Sequence, residues 1–148
     1  MFKYNLINTD NLEFNIDKKI LDEIFNNINN TVDKDQNGML NIIFLSPVEV
    51  QNLNKDYRNI DKTTDVLSFH YFDDFSNLEA DIIVGEIILN QEKIIKQGQE
   101  YQLGSEKEFY KLVIHSVLHI LGYDHEENSD YEIMKKFEEK IWELIFEK

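Results

Sequence analysis

The 148-residue sequence predicts a single α+β domain, a small mixed sheet with packed helices. Three observations support this. Short alternating or strongly apolar runs are interleaved with stretches of helical spacing, as in a mixed architecture. No linker, repeat or low-complexity tract interrupts the order, so residues 1–148 are expected to form one domain. Finally, 42% hydrophobic and 12% aromatic residues suffice for a core and exclude a disordered acidic tail.

Residues 2–14 alternate apolar and polar positions and predict a strand or hairpin rather than a signal peptide. Ile16, Ile20, Leu21, Ile24, Phe25 and Ile28 then recur at helical spacing, giving a helix over about 17–29 that the following asparagines weaken. Leu40–Leu45 is a strand-length apolar run. Ser46-Pro47-Val48-Glu49 predicts a helix start, with Ser as cap, Pro in the first turn and Glu closing a capping box. Val50, Leu53 and Tyr57 form its apolar stripe. Thr64–Tyr71 and Asp81–Asn90 are strand candidates around an acidic loop. Residues 91–102 look helical, and Ser105-Glu106-Lys107-Glu108 reads as a second capping box opening a helix to about Leu121. Gly122 supplies the left-handed residue that commonly ends a helix. A last amphipathic helix, about 129–146, places Ile133, Phe137, Ile141, Leu144 and Ile145 inward and a charged, solvated face of Glu138, Glu139, Glu143 and Glu147 beside Lys135, Lys136 and Lys140.

The chain has no cysteine, which excludes a disulfide scaffold and a Cys-ligated metal site and fits a cytoplasmic location. No apolar run approaches the roughly 18 residues of a membrane span, so no membrane partner is expected. A net charge of −14 repels phosphate backbones, so broad nucleic-acid binding, DNA included, is not expected. Asp33-Lys34-Asp35-Gln36-Asn37-Gly38 matches the first half of an EF-hand loop, but Phe44 stands where the bidentate Glu is required. It reads as a polar turn.

Three of four histidines fall within eleven residues: His115, His119 and His125. The first two, four apart on a helix, share one face and can grip one ion. Gly122 lets the chain turn back with His125. Three neutral imidazoles with an open position are the composition of a catalytic zinc site. Burying two histidines on an otherwise apolar helix without a shared ligand would be costly. A zinc peptidase of the HExxH kind needs Glu after the first His, and Ser116 stands there.

His115-Ser116-Val117-Leu118-His119-Ile120-Leu121-Gly122-Tyr123-Asp124-His125 resembles the HGxLHLxGYDH signature of the YbeY family, bacterial metal-dependent endoribonucleases. Ser116 replaces the usual Gly and Ile120 the usual Leu. Leu53-Asn54-Lys55-Asp56-Tyr57-Arg58 and Thr64-Asp65-Val66-Leu67-Ser68-Phe69 resemble the family's LNxxYR and TDVLSF, with Thr63 and His70 where proline is common. Gly85-Glu86-Ile87 resembles its Gly-Asp-Ile. The resemblance spans roughly residues 40–126. It implies a zincin-like domain holding one Zn2+ per chain on His115, His119 and His125, with His115 also part of the catalytic centre. It further implies maturation of the 3′ end of 16S ribosomal RNA, ribosome quality control, and partnership with the small ribosomal subunit, a ribosomal protein and the Era GTPase.

The chain carries 14 lysines and one arginine, Arg58, inside the second block. Guanidinium offers a rigid fork for phosphate oxygens, so Arg58 is the second candidate catalytic residue; its bland role is an anchor to Asp56 or Asp61. His70 reads as a strand residue beside the block. Asp124 is a candidate partner for a ligand imidazole or an ordinary turn residue. Asp65 and Ser68 read as structure or as cleft lining. The alternatives are a zinc peptidase or other metal hydrolase, and a ribosome-associated module with structural zinc. Residues 54–62 are locally net positive, so the expectation is weak, salt-sensitive RNA affinity at a small cationic cleft.

Overall fold

The computed structural model describes residues 1–124 and 128–147. The chain runs β1 (Lys3–Ile7), α1 (Lys18–Thr31), β2 (Met39–Leu45), α2 (Pro47–Arg58), β3 (Val66–His70), β4 (Ile83–Asn90), α3 (Gln91–Glu100), α4 (Ser105–Ile120) and α5 (Asn128–Phe146). The α+β prediction holds: the sheet order is β1-β2-β4-β3 and its pairing is mixed. β1 and β4 flank β2 in parallel, and β3 closes the edge antiparallel to β4.

Successive side chains of a strand face opposite sides of the sheet, and the core divides accordingly. Leu40, Ile42, Phe44, Ile87 and Leu89 face a large core with α1, α3, α4 and α5. Ile43, Leu45 and Ile88 face the other way, onto Val50 and Leu53 of α2. Full burial of each such Leu or Ile contributes roughly 1.5–3 kcal/mol. α2 begins as predicted: the Ser46 hydroxyl accepts from the Glu49 amide and Glu49 accepts from the Ser46 amide. None of the described helices is long and apolar enough to cross a membrane.

Four expectations need correction. Residues 2–14 form no hairpin: only Lys3–Ile7 is strand, and it pairs parallel to β2 after the α1 crossover. Ser105 does not cap α4. The cap is Gly104, with no side-chain bond, because the Leu103 and Gly104 amides both fold back to the Gly98 carbonyl and pull the turn one residue earlier. In α5 the buried residues are Met134, Ile141 and Ile145, with Phe137 half-buried, whereas Ile133 and Leu144 are exposed. At 100° per residue the last two lie about a quarter turn from the contact stripe. Tyr57 is exposed and meets Phe69 only edge-on, so the α2 stripe reduces to Val50 and Leu53.

Candidate active site

α4 is buried along most of its length, including Val113, Ile114, Val117 and Leu118, while His115 and His119 form a half-buried stripe. The helix stops where the sequence places Gly122. This residue adopts φ 101°, and its amide and that of Tyr123 return to the carbonyls of His119 and Leu118. Lys34 reinforces the stop: its ammonium donates to the Leu121 carbonyl at 2.7 Å and lies 4.4 Å over the Tyr123 ring. A cation at a helix C-terminus also offsets the negative end of the helix dipole. The EF-hand-like turn therefore serves α4. Its Gln36 amide likewise donates to the Ile28 and Val32 carbonyls at the end of α1.

Both rings are held at Nδ1. Nδ1 of His115 is 2.8 Å from a Glu138 carboxylate oxygen, with the two side chains 34% and 32% exposed. An ionised carboxylate only accepts, so His115 donates from Nδ1, and the neutral ring then carries its lone pair on Nε2. Nδ1 of His119 is 2.8 Å from the Ser68 hydroxyl on β3. A carboxylate at one nitrogen is the usual company of an imidazole that ligates a metal through the other, and the Ser68 hydroxyl can donate to or accept from the His119 ring. Among the described residues no three metal-ligating side chains come together, and His125 lies outside them.

β3 packs closely on β4 at Gly85, which pairs with His70. A Cβ there would sit 2.6 Å from the Phe69 carbonyl oxygen and 3.0 Å from Leu40, so only glycine admits this approach. The next residue, Glu86, accepts a hydrogen bond from the Tyr71 hydroxyl, and burial together with that bond pushes Tyr71 up to about 12.

A family model described as "Endoribonuclease YbeY" matches residues 5–145. The chain belongs to the YbeY family. A Caldicellulosiruptor saccharolyticus protein named Endoribonuclease YbeY is 36% identical over 140 residues, covering 89% of this chain and 88% of that protein. One from Mycoplasmopsis pulmonis is 36% identical over 142 residues, covering 95% of each. The solution structure of TM1509 from Thermotoga maritima is similar at a TM-score of 0.58 and 27% identity, over 96% of this chain and 89% of that one.

Within this YbeY-family fold the remaining candidates separate. Arg58 is exposed in the last turn of α2. The anchoring role is not realised for Asp61, which takes Lys55 at 4.0 Å and the Gln51 amide at 3.0 Å. Arg58 makes no ion pair among the described residues. His70 is exposed and donates to its own loop, at the Phe72 carbonyl. Asp65 accepts from the Thr64 hydroxyl and the Val66 amide, a strand-entry role. Ser68 touches His119, and Asp124 sits half-buried in the turn after α4. Glu138, expected on the solvated face of α5, points at His115 instead. The signal was available: Glu138 lies four residues after Met134 and three before Ile141, on the buried stripe.

Proposed function

We propose that this chain is a zinc-dependent, single-strand endoribonuclease of the cytoplasm, acting in maturation of the 3′ end of 16S ribosomal RNA and in ribosome quality control. His115, His119 and His125 would hold the ion, the first two through Nε2. What carries this reading is the pair of Nδ1 contacts: the one to Glu138 leaves Nε2 of His115 to ligate, and the one to Ser68 fixes the ring of His119. A zinc ion held there supplies Lewis acidity, acidifying a water molecule and polarising a phosphoryl oxygen. Glu138 and Ser68 keep the rings of His115 and His119 fixed. Arg58, exposed and without an ion pair among the described residues, binds phosphate oxygens of the RNA and stabilises charge as it develops there.

The peptidase alternative has less support. Ser116, the residue after His115, is 1% exposed and turned into the core, and it brings no carboxylate base. The test is cleavage of a single-stranded RNA by the purified, zinc-loaded protein, by the chelated protein and by His119→Ala. Cleavage by the first alone is expected. Cleavage that survives in metal-free His119→Ala, or digestion of protein with RNA left intact, overturns the reading.

A further inference from the structure

Glu138 also borders a groove of about 370 Å³ between α4 and α5. The floor is apolar, formed by Ile114, Trp142 and Leu103. The rim is acidic: Glu139 and Glu143 on α5 and Glu147 just past its end are spaced four residues apart, and all three are exposed. Like charges at that spacing repel, and two of them lie toward the C-terminal end of a helix whose last turn has no basic residue. None of the three makes an ion pair among the described residues. Lys111, a cation at the groove, is already engaged: its ammonium is 3.0 Å from the buried Glu108 and 4.7 Å over the Tyr101 ring.

A glutamate stripe with no ion pair among the described residues, beside an apolar floor, defines what fits. We propose that this groove docks a basic, amphipathic segment of a protein partner. Apolar side chains of that segment seat on Ile114 and Trp142, and its lysines or arginines meet the glutamate stripe. The same stripe repels a nucleic-acid strand, and a second copy of this chain carries the same −14 charge. Docking there places cationic residues of the partner next to Glu138, and hence beside His115.

Trp142 is the chain's sole tryptophan, so its emission reports occupancy of the groove directly. The intact protein is titrated with a synthetic amphipathic peptide of leucine and lysine, roughly 14 residues long. A saturable emission change is expected. Combining Glu139→Gln, Glu143→Gln and Glu147→Gln weakens binding about tenfold or more, while a charge-matched control of Glu13→Gln, Glu79→Gln and Glu92→Gln binds as wild type. The groove variant keeps a thermal midpoint at or above wild type, because repulsion has been removed. Four results overturn the proposal: no saturable change, equal weakening in both triple variants, equal binding of an all-lysine peptide, or tighter binding of an oligouridylate.

Discussion

The Ser68 hydroxyl and Nδ1 of His119 lie 2.8 Å apart, joining the edge strand β3 to the buried helix α4 across 51 residues of sequence. This bond belongs to neither element's own hydrogen-bonding pattern, so its loss should leave the fold intact. Ser68→Ala is expected to lower stability by about 1 kcal/mol. Zinc affinity should fall about 10- to 100-fold, read by competition with a chromophoric chelator. Unchanged affinity would show that Ser68 does not hold the ring.

Glu138→Gln preserves side-chain shape but removes the charge that accepts from His115. Chelator competition should again show weaker zinc binding, by about tenfold, with an unfolding midpoint close to wild type. Combined with Ser68→Ala, the losses should depart from additivity, since the two rings would hold the same ion.

Arg58→Ala removes an exposed side chain with no ion pair among the described residues, so stability should change by less than about 0.5 kcal/mol. RNA cleavage should fall by about 10²-fold or more, and Arg58→Lys should recover only part of it, because lysine lacks the planar fork. Full activity of Arg58→Ala would remove Arg58 from the site.

Lys34→Ala deletes both the cap on the Leu121 carbonyl and the cation at the end of α4. A loss of about 1–2 kcal/mol is expected in urea unfolding. Zinc affinity should weaken as well, because the stop of the helix that carries His115 and His119 lies at that carbonyl.

Tyr71 titrates near 12 in the fold, chiefly through burial and then through its bond to Glu86, against about 10 for an ordinary tyrosine. A raised pKa means the folded state holds the proton more tightly. The contribution is therefore complete below about pH 10 and lost as pH rises toward about 12. The urea midpoint of wild type should fall more steeply over that window than that of Tyr71→Phe. Parallel curves would show that the pair contributes nothing.

Much of this was legible in the sequence because it rests on local chemistry. The Ser46 cap, the stop at Gly122 and the buried face of α4 each follow from residues within a turn or two of one another. Pairing was not legible. The alternation in residues 2–14 identifies a strand but not its neighbour, and the neighbour lies beyond α1. The inward role of Glu138 was obscured because Ile133 and Leu144 suggested a contact stripe about a quarter turn off. The reason for Gly85 is likewise non-local: the Phe69 carbonyl of β3 occupies the space that a side chain would need.

The edge position of β3 has a kinetic consequence. Its partner in the sheet is β4 alone, whereas β2 is hydrogen-bonded on both sides. The amides of β3 should therefore exchange with solvent hydrogen sooner than those of β2 or of buried α4. His119 is anchored in a buried helix and its companion Ser68 in an edge strand paired on one side only. The ring can thus lose its restraint through partial opening at one border of the sheet, while the rest of the molecule stays folded.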